Sequence, residues 1–164
     1  MDTTNRWALI GLGLWLFTCF IAAALGAAAS AQASVLYDQL LLPGWAPPAW
    51  LFAPVWTVLY TMMAFAAWMV WRVGGLAQHR SLLILFVAQL MLNSLWSWLF
   101  FGWQRGELAF ANIIALWLMI VVILEGFRRV RPLAAALMVP YLLWVSFAAV
   151  LNFTVWQLNP GLLG

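Results

Sequence analysis

Apolar residues fill this chain in long blocks separated by short polar breaks. Five blocks stand out, at about residues 7–29, 50–71, 81–103, 108–124 and 133–158. A helix needs roughly 20 apolar residues to cross about 30 Å of hydrocarbon. Each block therefore predicts one transmembrane helix. Together they predict an all-α integral membrane protein, a five-helix bundle forming a single transmembrane domain over residues 1–164. The breaks carry turn and charge signals: Gly74-Gly75, then Gln104-Arg105-Gly106, then Arg128, Arg129, Arg131 and Pro132. The first connection, residues 30–49, is longer than the others and reads as a loop. Loops of that length are often functional.

Composition sharpens the picture. Of 164 residues, 68% are hydrophobic and 7% charged, against about 25% charged in a soluble domain. All seven basic residues are Arg, and the net charge of +3 forms no basic stripe of the kind that binds nucleic acid. Cys19 is alone, so no internal disulfide forms, and no Cys/His set has metal-ligand spacing. Arg6, the first apolar block and the small-residue run 30–34 also allow a cleaved signal peptide. The block exceeds the usual 7–15 apolar residues of such a segment, which favours a retained helix. With five crossings, Arg6, Arg72, Arg80, Arg128, Arg129 and Arg131 share one side and Arg105 lies on the other. In a bacterial inner membrane the arginine-rich side, with the N-terminus, is cytoplasmic.

Little conventional catalysis is available. Asp2, Asp38, Glu107 and Glu125 all lie near segment ends, and His79 sits beside Arg80. Glu125 is three and four residues from Arg128 and Arg129, the spacing of a local ion pair. No nucleophile, base and orienting group can be assembled, and no ionisable group marks a mid-membrane proton path. What the helices offer is aromatic and amide side chains at helical spacing. Trp56 and Tyr60 share a face, as do Gln89, Asn93 and Trp96, and Tyr141, Trp144, Ala148 and Asn152. The amides need partners in lipid and should face the bundle interior. They serve either interhelical hydrogen bonding or a pocket for a flat hydrophobic ligand. The stretch from Leu42 to Trp50 is stiffened by Pro47-Pro48. It holds Trp45 and Trp50 near the membrane surface, as belt residues or, for Trp45, as a lid. Ala22 and Gly26, and Ala23 and Ala27, are small-residue pairs four apart in the first block, with Ala111 and Ala115 in the fourth. Such pairs pack helices within a chain or between copies.

The ordered motifs resemble one family. Pro43-x-Trp45-x-Pro47-Pro48, Trp56-Thr57-x-Leu59-Tyr60-x-Met62, Gln89-Leu90-x-Leu92-Asn93-x-x-Trp96-Ser97-x-x-Phe100-Phe101-Gly102 and Pro140-Tyr141-Leu142-x-Trp144-x-x-Phe147-Ala148-x-x-Leu151-Asn152 resemble the translocator protein family. Its bacterial members are the tryptophan-rich sensory proteins, and its mitochondrial member is the peripheral benzodiazepine receptor. The resemblance spans all five blocks and points to a bacterial member. It implies a five-helix bundle that commonly dimerises and binds porphyrins and other tetrapyrroles, cholesterol-like lipids and synthetic isoquinoline carboxamides. No cofactor is required; the tetrapyrrole is the ligand. Position by position, it implies a site of Tyr37, Trp45, Pro47, Trp56, Tyr60, Asn93, Trp96, Trp144 and Ala148 under the first loop. Transport, sensing and assembly with other membrane proteins are all compatible with it. Light-dependent porphyrin breakdown is the enzyme-like alternative, with Trp56 and Trp144 as photochemical candidates. The cholesterol motif of animal members is incomplete here, with Phe153 in place of Tyr and no basic residue after it.

Overall fold

A computed structural model of the chain describes residues 3–31 and 33–164. Asp2, at a segment end, and Gln32, within the small-residue run, lie outside the described residues. The described residues form six α-helices: α1 (Thr3–Ala29), α2 (Ala33–Gln39), α3 (Phe52–Ser97), α4 (Gly106–Val130), α5 (Pro132–Leu158) and α6 (Pro160–Leu163). A 3-10 turn at Ala49–Leu51 leads into α3, and a π-helical turn at Trp98–Gly102 closes it. Four helices, α1, α3, α4 and α5, are long and apolar enough to cross a bilayer. Their outward side chains are apolar: Leu14 and Phe17 on α1, Val122 on α4 and Leu143 on α5 are all exposed. Such surface suits lipid and would be a liability in water.

The second and third blocks form α3, a continuous run of 46 residues. A straight helix of that length would extend about 70 Å, twice the hydrocarbon thickness. It is not straight. Gly75 has φ 62° and ψ −163°, and His79 has φ −120° and ψ 26°, both outside helical values. That Gly75 conformation is essentially reserved for glycine. Tyr60 and Asn93, 33 residues apart, meet at 2.8 Å; on an unbroken helix they would stand about 50 Å apart. The two arms, residues 52–74 and 80–97, therefore fold back on each other around the break.

Between the arms, α4 and α5 the core is dry and mixes small with aromatic side chains. Ala64, Ala66 and Ala67 are fully buried and let backbones approach. Phe86 stacks on Phe127 of α4 with ring centroids 5.9 Å apart, and Trp15 of α1 meets Phe86 edge-on at 5.6 Å. α1 is pinned at both ends. Trp68 donates its indole N–H to Ala8 O at 2.8 Å. Farther along, Ser94 donates to Ala22 O at 2.8 Å and Trp98 to Leu25 O at 3.2 Å. Ala22 and Gly26 of α1 turn inward, and a Cβ on Gly26 would lie 3.2 Å from Ser97 Oγ, whereas Ala27 is exposed. Ala111 and Ala115 of α4 are exposed. At the arginine-rich end Glu125 pairs with Arg128 at 2.7 Å and Arg129 at 2.9 Å.

The first connection differs from its sequence reading. Residues 33–39 are helical, not loop. Seven residues give no usable periodicity, and so short a helix depends on tertiary packing. That packing comes from Leu36 and Leu40, buried in a cluster with Leu99, Phe100, Leu151 and Val155.

Candidate functional site

A cavity of about 490 Å³ lies between α1, both arms of α3 and α5, below α2. Four elements build it, each by helical spacing. Trp56 and Tyr60, one turn apart on the first arm, present their rings to it, 5.7 Å between centroids. Asn93 and Trp96 come from the second arm, and Trp144 and Ala148 from α5. Tyr37 of α2 closes the top beside Phe52. α1 supplies only small side chains, Ala23, Gly26, Ala27 and Ser30. The cavity reaches the surface where Ala27, Ala53 and Thr57 are exposed. Among the described residues, no charged side chain lines it.

Hydrogen bonding fixes the polar part of the wall. Tyr60 donates its hydroxyl to Asn93 Oδ1 at 2.8 Å. Asn93 Nδ2 donates to the Tyr141 hydroxyl at 2.9 Å, and Tyr141 donates to Gln89 Oε1 at 2.7 Å. All four residues are buried, and the bonds run in one direction, which strengthens each link. An amide carries two N–H donors, so Asn93 keeps one after bonding Tyr141. Trp144 Nε1 is buried and has no acceptor among the described residues. A buried N–H left unmade costs about 1–3 kcal/mol. The neighbouring Trp96 differs: its indole N–H is taken by Asn152 Oδ1 at 2.9 Å, and Asn152 donates on to Gly106 O at 3.2 Å. Gln89 and Asn152 thus bond between helices behind the wall, while Asn93 does that and faces the cavity.

Of the nine residues implied from the sequence, Tyr37, Trp56, Tyr60, Asn93, Trp96, Trp144 and Ala148 line the cavity. Trp45 and Pro47 do not line it. Trp45 is half exposed and packs edge-on against Phe147 at 5.8 Å, which in turn meets Trp144 at 5.5 Å. Pro47 accepts the Tyr37 hydroxyl on its carbonyl at 3.0 Å. Partial burial also pushes the Tyr37 phenol pKa up. The sequence reading missed the α1 wall. Its signal is present in Ala23, Gly26 and Ala27, small residues whose spacing reads equally as helix packing, and in Ser30, which falls in the small-residue run 30–34.

These features define a class: helical, multi-pass membrane proteins enclosing an aromatic cavity within the bundle. Comparison with known proteins gives the family. The pattern of the TspO/MBR family matches residues 14–157. The chain is 47% identical over 129 residues to the tryptophan-rich protein TspO of Chlorobaculum tepidum, covering 78% of this chain and 82% of that one. It is 38% identical to the tryptophan-rich sensory protein of Cereibacter sphaeroides, over 88% and 91% of the two chains. With the translocator protein of Ovis aries it shares 39% identity, over 76% and 75%. The chain belongs to the TspO/MBR family and is an integral multi-pass membrane protein of that family.

Proposed function

We propose that this protein is a receptor or translocator for porphyrin-type ligands, held in the Trp-rich cavity beneath the first loop. The observation that carries this reading is the cavity itself. It is apolar and aromatic, carries no charge, and offers the Trp144 indole N–H without a protein acceptor. Its 490 Å³ falls within the roughly 300–1,000 Å³ of small-molecule sites. Trp56, Trp96 and Trp144 supply faces for a flat ring system, and Trp144 and Asn93 supply donors for a carbonyl or carboxylate on it. In this reading the two arms of α3 are separate crossings, five in all, and the whole chain is one transmembrane domain. The arginine-rich end, with the N-terminus, faces the cytoplasm of a bacterial inner membrane. A homodimer would use the exposed Ala111 and Ala115 face of α4, because Gly26 of α1 packs against Ser97 within the chain.

A second reading, light-dependent breakdown of the bound porphyrin, draws on Trp56. It stands on the cavity wall with its ring 6.2 Å from Tyr141, an aromatic contact through which oxidising equivalents could leave the site. Spectra of purified protein with protoporphyrin, in the dark and illuminated under air, separate the readings. A bound spectrum that persists in light supports reception or transport. Loss of porphyrin absorbance only with light and intact Trp56 and Trp144 supports breakdown. No binding at all overturns both and favours a structural partner of other membrane proteins.

A further inference from the structure

Residues 41–48 run between α2 and the 3-10 turn outside any helix, with one turn bond of their own, Ala46 N–H to Pro43 O at 2.9 Å, so their other peptide groups need partners elsewhere. Leu41, largely exposed by side chain, has both peptide groups taken by one residue 118 positions away. Leu41 N–H donates to Asn159 Oδ1 at 2.8 Å, and Asn159 Nδ2 donates to Leu41 O at 3.0 Å. The same Nδ2 donates to Val155 O at 2.7 Å, and the Asn159 backbone carbonyl accepts Leu162 and Leu163 N–H at 3.1 and 3.0 Å. Asn159 is thus a buried, rigid post at the end of α5. Among the described residues, it is the only side chain beyond residue 52 that hydrogen-bonds to residues 30–51. Beyond the local turn bonds of Ser30 and Ala31 to the end of α1, the other ties of this segment to the bundle are apolar or aromatic: Leu36 and Leu40 in their cluster, Tyr37 on Phe52 and Trp45 on Phe147.

We infer that Asn159 is the positioning residue of the lid: its two-bond clamp on Leu41 holds α2 and the Pro-rich segment over the cavity. The clamp sits two residues past the end of α2, whose Tyr37 closes the cavity. Tyr37 in turn holds Pro47 by its carbonyl, so Leu41 is the fixed point between the two halves of the cover. Releasing it frees both halves from their one polar attachment to the bundle, while the aromatic wall below stays intact. The inference rests on the reading of the first loop as a lid over the cavity, but not on the identity of the ligand.

The test needs no porphyrin. In nanodiscs, hydrogen exchange of residues 36–48 is compared between the parent, Asn159→Ala and Asn159→Asp. Asn159→Ala removes both clamp bonds, whereas Asn159→Asp keeps the acceptor for Leu41 N–H and loses the donors to Leu41 O and Val155 O. Exchange should rise on the order of tenfold in Asn159→Ala, the expected loss from removing two neutral hydrogen bonds, and by less in Asn159→Asp, with no change in the arms of α3. In parallel, a thiol at Ala148→Cys, in a Cys19→Ser background, is titrated with a charged methanethiosulfonate reagent. Its modification rate should rise with the exchange rate. Parent-rate exchange in folded Asn159→Ala overturns the clamp. Loosened exchange with an unchanged thiol rate overturns its role over the cavity. Because neither readout involves porphyrin, a failure of porphyrin binding remains distinguishable from a failure of the clamp.

Discussion

The Tyr60, Asn93, Tyr141 and Gln89 chain shows how one residue can matter to both the fold and the cavity. Tyr141 touches no ligand space, yet its hydroxyl joins an amide of the cavity wall to an amide of the core. Tyr141→Phe removes one oxygen and leaves Asn93 Nδ2 and Gln89 Oε1 short of a partner inside the bundle. Each such group costs about 1–3 kcal/mol, so the variant should lose roughly 2 kcal/mol or more of stability, read as earlier denaturation in detergent. Stability equal to the parent would mean that the chain of bonds contributes nothing. The sequence showed which residues share this face, since Gln89, Asn93 and Trp96, and Tyr141, Trp144 and Ala148, follow helical spacing. It could not show which amides would be used up in bonding helices. That depends on which side chains meet across helices: Asn152 is taken by Trp96, whereas Trp144, one turn before Ala148, finds no acceptor.

Among the elements, α3 turns on one backbone position. The apolar blocks 50–71 and 81–103 and the Gly74-Gly75 signal were legible in the sequence, and the break falls at Gly75. The helical character of the residues around the break was not legible, because a helix can continue on both sides of a single glycine-only conformation. Gly75→Ala should destabilise the protein by about 1–3 kcal/mol, since the φ 62°, ψ −163° backbone strains any residue with a Cβ. Gly13→Ala, on exposed helix with open space at the Cβ, should be neutral or slightly stabilising. Thermal denaturation of the two variants in the same detergent checks the contrast; equal shifts would remove the strain argument. α2 was missed for a related reason. Seven residues carry too little pattern, and the partners that bury Leu36 and Leu40 lie more than fifty residues away.

For the molecule as a whole, the proposed five crossings and arginine-rich cytoplasmic end predict that a cysteine at Gln39 is labelled from outside the cell. A cysteine at Gln78 should be labelled only after permeabilisation, both in a background lacking Cys19. The opposite pattern would invert the orientation, and labelling of both from one side would reduce the number of crossings. The long apolar blocks made the membrane class legible from the sequence; the cavity needed three dimensions, because α1 contributes no aromatic or amide signal to it. The central claim is that Trp56 and Trp144 form one ligand site. Its most direct test is a protoporphyrin titration of the parent, Trp56→Ala, Trp144→Ala and the exposed-surface control Trp7→Phe, each shown to be folded. Loss of a central Trp contact costs on the order of 2 kcal/mol, or roughly 30-fold in affinity at about 1.4 kcal/mol per tenfold. Both cavity variants should weaken by that factor, and Trp7→Phe should keep parent affinity. Parent affinity in Trp56→Ala and Trp144→Ala would contradict the claim.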